Sequence, residues 1–233
     1  MNLVFDIGYN HGEFSQAVSS EFPECKIVGV EANEALYLQE SQSLTSNNIS
    51  IINKLVSNVD NEEKIFYINY QDGISSASED FITNSRFATG SKYITNTGGW
   101  QRSVNVDTVT LDSMIANYGI PDLIKIDVEG YELSVIKGLT SKANLICFEF
   151  HEEFTEDGVS CLSHLDSLGY SEFGLIGFFD EGNIFESFTF NPNGDPYMVL
   201  PDKFITFQEM KEALKSFEPS RKVNYGMMYG RWT

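Results

Sequence analysis

The chain has 233 residues, and 42% of them are hydrophobic, which suits one domain of ordinary size with a sizeable core. Lys and Arg total 15 against 34 Asp and Glu, so the formal net charge is −19 at pH 7. Such an acidic surface repels a nucleic-acid backbone and an anionic membrane, so the composition argues against partners of both kinds.

The three cysteines, Cys25, Cys147 and Cys161, form neither an even set nor a paired spacing. Their number argues against a disulfide scaffold and against a structural zinc site. No apolar stretch approaches the length of a membrane span, and the N-terminus lacks the charged region and cleavage site of a signal peptide. We therefore expect a cytoplasmic protein.

Short apolar runs alternate along the chain with segments of helical periodicity. The strand-like runs are residues 3–5, 27–30, 49–52, 123–126 and 145–148, with residues 225–232 as a candidate last strand. The helical segments are residues 14–22, 111–118 and 159–168. Thr206 and Glu209 have the spacing of a capping box at the start of a further helix. Because nearly continuous apolar strands are typical of parallel sheets, the pattern predicts a doubly wound α/β sheet.

Two polar stretches interrupt this alternation. Residues 71–103 are rich in Ser, Thr, Asn and Gly and predict a long excursion over one end of the sheet, where long loops are usually functional. Their Arg86, Tyr93 and Trp100 offer a stacking surface for sugar rings, or else pack the excursion onto the sheet. Residues 180–222 form a second irregular stretch. We interpret the whole chain as one domain with these two insertions.

The first predicted strand runs directly into a glycine-bounded turn, Gly8-Tyr9-Asn10-His11-Gly12. In open α/β sheets, ligands bind beyond the carboxyl ends of the strands, and glycines there let the backbone approach a cofactor. The dinucleotide pattern G-x-G-x-x-G is absent, since Asn10 and Glu13 replace its second and third glycines. S-adenosylmethionine has no phosphates and carries a positive sulfonium, so it suits this acidic turn better.

Two acids frame the turn. Asp6 precedes it and would either orient it or meet the ammonium group of the cofactor. Glu31 ends the second strand, where an acid that holds both ribose hydroxyls is expected. The alternative is a tight turn beside a solvent-facing acid. The predicted cofactor-binding residues are Asp6, Gly8, Tyr9, Asn10, Gly12, Glu31, Ala32 and Asp127.

A second set of charges follows the fourth predicted strand, within PDLIKIDVEGYELSVIKG. Lys125, Asp127 and Glu129 alternate and would face one way if the strand persists. Charges at the end of a strand beside a cofactor cleft are site candidates. We assign Asp127 to the site, leave Glu129 open between site and structure, and interpret Glu132 as an acid of the first turn of a helix.

Four segments carry a family likeness: FDIGYNHGEFS, VGVEAN, VDTVTLDSMIANYGIPDLIKIDVEGYELSVIKGL and ICFEFH. With them, residues 2–151 resemble the FkbM family of S-adenosylmethionine-dependent methyltransferases. The resemblance implies a class I methyltransferase (Rossmann-like) fold with a mostly parallel seven-stranded sheet, and methylation of a hydroxyl, often on a sugar or a polyketide-like product. It also implies roles for six residues: Asp6, Gly8, Asn10 and Gly12 in the cofactor loop, Glu31 at the ribose and Asp127 near the reaction centre.

Methyl transfer to an alcohol gains from a general base, because an alcohol is a poor nucleophile. His151 stands at the end of the fifth predicted strand, and Glu149 alternates with it, so both side chains could face the same cleft. We favour His151 as the base, with Asp127 or Glu149 as its partner; a plain strand-end residue is the alternative. The same three residues offer ligands to Mg²⁺, and their spacing does not decide whether a metal is bound.

The sequence therefore predicts an O-methyltransferase that acts on a sugar, a glycan or another small molecule. Two alternatives remain open: an oxidoreductase that binds NAD or a nucleotide sugar, and a non-catalytic module that binds the cofactor or a glycan. Family members usually carry a segment before the first strand, and this chain begins on that strand. We expect either that the N-terminal cover of the cleft is missing or that the chain is part of a larger enzyme.

Overall fold

The computed structural model describes residues 1–88, 99–178, 189–190, 200–215 and 225–233. The strands are β1 Leu3–Ile7, β2 Lys26–Glu31, β3 Ile49–Asn53, β4 Leu55–Val56, β5 Glu63–Asn69, β6 Trp100–Val109, β7 Leu123–Ile126, β8 Leu145–His151, β9 Glu172–Phe178, β10 Thr189–Phe190 and β11 Tyr225–Arg231. The α-helices are α1 Glu13–Glu21, α2 Glu34–Ser43, α3 Glu79–Asn84, α4 Leu111–Tyr118, α5 Glu132–Lys137, α6 Thr155–Ser167 and α7 Phe207–Lys215. All six predicted strands and the four predicted helices are confirmed.

The main sheet has the strand order β10-β9-β11-β8-β7-β1-β2-β3. Strand β1 pairs in parallel with both β2 and β7, and the parallel pairing continues outward to β3 and β8. Among the described strands of this sheet, only β11 is reversed, since it pairs antiparallel with β8 and β9. Apart from the two-residue edge strand β10, this is the predicted mostly parallel sheet of seven strands.

Both faces of the sheet are buried, as the continuous apolar runs predict. On one face, Leu3, Phe5 and Ile7 of β1 pack with α4, α5 and α6. On the other face, Val4 packs with Phe14 of α1. This two-sided burial follows from the period of two in a strand, which sends neighbouring side chains to opposite faces. The turns at the carboxyl ends of β1, β2 and β7 therefore meet along one edge of a fixed scaffold.

A small second sheet, with the order β4-β6-β5, stands between β3 and α4 in the chain. Strand β4 is parallel to β6, whereas β5 is antiparallel to it.

The stretch 71–103 begins after β5 and contains a 3₁₀ turn at Asp72–Ile74, helix α3 and the start of β6. Trp100 donates a hydrogen bond from Nε1 to the carbonyl of Ile74, so this ring is packed within the excursion. Tyr93 lies outside the described residues.

The second irregular stretch, 180–222, is described only at 189–190 and 200–215. There the capping box is present: Glu209 accepts a hydrogen bond from the amide of Thr206 (2.8 Å) and donates its own amide to the Thr206 hydroxyl (3.3 Å). These two bonds satisfy free amides at the start of α7.

Among the described helices, none combines the length and the apolar character needed to cross a membrane.

Candidate active site

The glycine turn between β1 and α1 has an unusual backbone. Gly8, Asn10 and Gly12 have φ values of +82°, +49° and +72°. The amides of Gly8 and Tyr9 both donate to the carbonyl of Val30, which ties the turn to β2. A Cβ atom at Gly8 would lie 1.8 Å from the carbonyl oxygen of Asp127. Position 8 therefore requires glycine for two reasons: its positive φ and the close approach of the two loops.

A buried ion pair supports the turn from below. Asp6 is fully buried and accepts a hydrogen bond from the Ser15 hydroxyl (2.6 Å). Lys125 Nζ lies 3.2 Å from Asp6 Oδ1 and donates to the carbonyl of Gly8 (2.9 Å). Burial alone would lower the pKa of Lys125, but Asp6 and Asp127 outweigh it and raise the pKa above its ordinary value. Lys125 is thus a fixed positive charge under the turn.

A cavity of about 380 Å³ opens above the turn, at the carboxyl ends of β1, β2 and β7. Seven of the predicted cofactor-binding residues line it: Gly8, Tyr9, Asn10, Gly12, Glu31, Ala32 and Asp127. Asp6 does not, since it lies beneath the turn. The small sheet supplies a further wall of the cavity through Leu55, Val56 and Phe66. The sequence analysis did not single out these three residues, because nothing local in their sequence marks a binding site.

Glu31 is held at the cavity wall by backbone amides. Its Oε2 accepts from the amide of Asn10 (2.9 Å) and its Oε1 from the amide of Asn33 (2.7 Å). The residue is 6% exposed, so it is not the solvent-facing acid of the alternative interpretation. Burial raises the pKa of Glu31, and the two amide hydrogen bonds oppose that shift. Each carboxylate oxygen keeps a further lone pair, which suits the two hydroxyls of a ribose.

Asn10 presents a second group for a ligand. Its side-chain oxygen is buried and has no hydrogen-bond partner among the described residues, and the residue lines the cavity. A buried acceptor without a partner costs free energy unless something donates to it.

The side chain of Tyr9, by contrast, is buried in the apolar cluster with Val4 and Phe14. The ring of Tyr9 therefore packs beneath the turn, although the residue borders the cavity.

Acidic side chains gather where β7 and β8 end. Strand β7 stops at Ile126, so the alternation of Lys125, Asp127 and Glu129 does not continue along one strand. A left-handed residue follows instead, Glu129 with φ +56°, and both Asp127 and Glu129 still line the cavity. Glu132 begins α5 and accepts a hydrogen bond from the amide of Val128 (3.0 Å).

Glu149 and His151 of β8 are in contact, but they differ in position. His151 Nε2 lies 3.0 Å from Glu149 Oε2 and 3.6 Å from Glu129 Oε2. Glu149 lines the cavity, whereas His151 is buried behind it against the ring of Phe81. The alternation on the strand does place the two side chains together. Glu149 therefore has the access to the cavity that we expected from the sequence for His151.

The carboxyl groups in this cluster bind protons more tightly than ordinary ones. Burial raises the pKa of Glu149 well above its usual range, and the negative charges of Asp127 and Glu132 add to the shift. Burial and then Glu149 do the same to the pKa of Glu129. Glu132, again mainly through burial, has a pKa of about 7. The cluster can therefore take up and release a proton near neutral pH.

A metal ion would find three ligand atoms here. Glu129, Glu149 and His151 each offer one, and the three atoms lie within 4.8 Å of one another. The set differs from the one considered from the sequence, since Glu129 takes the place of Asp127. Carboxylate and imidazole ligands suit several divalent metals, provided that the coordinating nitrogen of the histidine carries no proton.

Solved structures with a similar course of the chain include two methyltransferases and one further domain that was solved with SAH. The precorrin-6y C5,15-methyltransferase from Geobacter metallireducens GS-15 is 10% identical, and the match covers 100% of this chain and 80% of that one with a TM-score of 0.46. The plantazolicin methyltransferase BpumL in complex with SAH is 10% identical, with coverage of 100% and 76% and a TM-score of 0.40. The N-terminal domain of EvdMO1 with SAH bound is 10% identical, with coverage of 100% and 75% and a TM-score of 0.41.

Among curated proteins, no significant match to this sequence is found. The family model of the methyltransferase FkbM domain, however, matches residues 6–174, well over half of the chain. The match begins at the acid beneath the glycine turn and includes that turn, the acidic cluster and the Glu149–His151 pair. The chain therefore belongs to the FkbM methyltransferase family, and its methyl donor is S-adenosylmethionine.

Proposed function

We propose that this methyltransferase acts on oxygen, and that its acceptor is a hydroxyl group of a sugar or glycan. The observation that carries the proposal is Glu149, a buried carboxyl group with a raised pKa at the wall of the cavity. A hydroxyl must lose its proton as it is methylated, and a carboxylate with such a pKa is suited to accept that proton. Family membership decides against the oxidoreductase that the sequence analysis left open.

The residues around the cavity fit S-adenosylmethionine. Glu31 offers two acceptor oxygens for ribose hydroxyls, and Asn10 offers a buried oxygen that lacks a donor. When bound, the cofactor supplies an electrophilic methyl group on a sulfonium, whose positive charge favours the ionised form of nearby carboxyl groups. The acidic wall of Asp127, Glu129 and Glu149 is compatible with that charge.

In the proposed reaction, the acceptor oxygen forms a bond to the methyl carbon while the bond from that carbon to sulfur breaks. The hydroxyl proton passes to the carboxylate of Glu149, and S-adenosylhomocysteine leaves as a neutral thioether. Asp127 lies 3.6 Å from Lys125 Nζ, and it accepts a hydrogen bond from Glu149 only when Glu149 is protonated, so it stabilises Glu149 after the proton has been transferred. His151 stands behind Glu149 rather than in its place, which revises the role that we favoured for it from the sequence.

A polyhydroxylated acceptor is supported by the polar groups on the cavity wall. Asp127, Glu129 and Glu149 present carboxyl groups that accept hydrogen bonds from hydroxyls, and Asp72 also lines the cavity. The rings of the excursion do not add a stacking platform among the described residues. Trp100 and Phe87 both pack against Phe81, and the Phe81 ring is fully buried.

The test is a product assay with the intact chain. The protein is incubated with S-adenosylmethionine labelled in the methyl group and with a panel of monosaccharides and nucleotide sugars, and products are examined by mass spectrometry and NMR. We expect label on an oxygen of one class of sugar, and loss of that product in Glu149→Gln. Label on a carbon or nitrogen of the product, or an undiminished rate in Glu149→Gln, would contradict the proposal.

A further inference from the structure

Arg86 lies on the side of His151 that faces away from Glu149. The residue follows α3, and its side chain is only 13% exposed. The guanidinium is held by Glu153 in a two-pronged pair, with Nε to Oε1 at 2.9 Å and Nη2 to Oε2 at 2.7 Å. The backbone amide of Arg86 donates to the same carboxylate at 2.9 Å. These three bonds fix the position of the guanidinium before any ligand is considered.

The same Nη2 atom lies 3.4 Å from Nδ1 of His151. A guanidinium only donates hydrogen bonds, and it keeps its charge at every ordinary pH. Nδ1 must therefore present a lone pair to Arg86, and in a neutral imidazole the proton is then on Nε2. That nitrogen faces Glu149 Oε2 at 3.0 Å and Glu129 Oε2 at 3.6 Å, and both of these atoms are acceptors.

We propose that Arg86 is a positioning residue that holds His151 in the Nε2–H tautomer, so that His151 donates to Glu149 and leaves Glu149 to receive the proton of the acceptor. The part that concerns proton transfer rests on the function proposed above. The tautomer itself does not depend on the acceptor, because every group that defines it belongs to this chain.

Ionisable groups face His151 from three parts of the chain. Glu149 faces it from the same strand, Glu129 and Glu132 face it from the start of α5, and Arg86 faces it from the excursion. Burial alone would raise the pKa of Glu153, but its bonds to Arg86 outweigh this and lower the pKa, so the pair is ionised. A proton on Nδ1 would point at this guanidinium, where no lone pair receives it.

The position of Arg86 beside His151 also weighs against a metal at Glu129, Glu149 and His151. A coordinated histidine normally donates its other N–H to a carboxylate or carbonyl oxygen. Here the other nitrogen meets a guanidinium donor, so coordination through Nε2 would require the ring to carry no proton at all. The structure favours a proton rather than a cation between His151 and the two carboxyl groups.

The first experiment measures the tautomer in the ¹⁵N-labelled protein without any substrate. Long-range ¹H–¹⁵N correlation spectra distinguish a protonated from an unprotonated ring nitrogen, and His151→Gln assigns the signal among the three histidines. We expect an unprotonated Nδ1 and a protonated Nε2 near pH 7. A protonated Nδ1 in the wild type would overturn the proposal, and so would loss of the Nε2 proton on addition of MgCl₂ or MnCl₂, which would establish metal binding instead.

The second experiment removes the donor. Arg86→Met is combined with Glu153→Gln so that no buried carboxylate is left unpaired, and Glu153→Gln alone serves as reference. Relative to this reference, we expect the double variant to show a mixture of tautomers, a kcat lower by roughly tenfold to a hundredfold, a changed pH profile and unchanged affinity for S-adenosylhomocysteine. Arg86→Lys keeps a donor at this position and should therefore retain part of the kcat that the double variant loses. Arg102→Met, at an exposed position on β6, should leave the tautomer, the kcat and the pH profile unchanged.

The outcomes separate the two proposals. If no oxygen is methylated but the wild-type tautomer is as described, the proposed function fails and the assignment of the tautomer stands. If the tautomer is as described but the double variant keeps the kcat and pH profile of Glu153→Gln, Arg86 is not a positioning residue for catalysis.

Discussion

Glu149 Oε2 lies 3.0 Å from Nε2 of His151, and of these two side chains only that of Glu149 borders the cavity. A donor at this position stabilises the carboxylate form of Glu149, while burial and neighbouring acids oppose it. The balance between these effects sets the pH at which Glu149 can accept a proton.

Glu149→Gln should abolish the base without altering the shape of the site. We expect the rate of methyl transfer in a single turnover to fall by roughly 10²- to 10⁴-fold, the usual contribution of a positioned base, while affinity for S-adenosylhomocysteine stays near that of the wild type. In the wild type the rate should rise with pH, because the carboxylate is the active form, and this rise should lie above the ordinary range of a glutamate. A pH profile that keeps the same acidic limb in Glu149→Gln would assign the base to another group.

Glu31→Ala should weaken binding of S-adenosylhomocysteine. Loss of hydrogen bonds to a charged group costs roughly 1.5–3 kcal/mol, which corresponds to about a tenfold to hundredfold loss of affinity. Isothermal titration calorimetry measures the affinity, and circular dichroism checks that the variant is folded. Glu34→Ala, which removes an exposed acid from the first turn of α2, is the matched control and should bind as the wild type does. Equal affinities in all three proteins would remove Glu31 from the cofactor site.

Gly8→Ala and Gly119→Ala form a matched pair of backbone tests. Both glycines have positive φ, +82° and +102°, so an alanine at each costs on the order of 1–3 kcal/mol. Only at Gly8 would the new Cβ meet backbone, 1.8 Å from the Asp127 carbonyl, whereas at Gly119 its nearest neighbour is a side-chain atom of Leu3 at 3.8 Å. Urea denaturation should show a larger loss of unfolding free energy for Gly8→Ala, and only this variant should lose cofactor affinity. Equal losses of stability would mean that the two loops can move apart.

Glu132→Gln should change how stability depends on pH. The pKa of Glu132 is about 7 in the folded protein against an ordinary value of 4.5, so the folded state binds the proton more tightly than the unfolded state. Proton binding by Glu132 contributes fully to the free energy of unfolding below pH 4.5. As the pH rises to about 7, this contribution of about 3 kcal/mol is lost. Urea titrations across this interval should therefore give a shallower decline in unfolding free energy for Glu132→Gln than for the wild type. Parallel declines would contradict the raised pKa.

The sequence alone determined the elements and the parts of the site that lie close together along the chain. The central strands follow from short apolar runs, because a strand buried on both faces needs apolar side chains at nearly every position. The tight turn after β1 follows from Gly8 and Gly12 directly after such a strand, since few other residues tolerate the backbone that the turn requires. Glu31 follows from its place at the end of the next strand, and the start of α7 follows from the local pairing of Thr206 with Glu209.

Only the tertiary structure decided which of the predicted site residues meet the cavity. Alternation on β8 predicts that Glu149 and His151 share a face, but His151 packs against Phe81, which comes from another part of the chain. Arg86 reaches Glu153 and His151 across 67 and 65 residues of sequence, and no local pattern encodes a contact over that distance. The physical reason is that strand period and turn geometry are fixed by neighbouring residues, whereas burial, proton affinity and tautomer are set by groups that folding brings together.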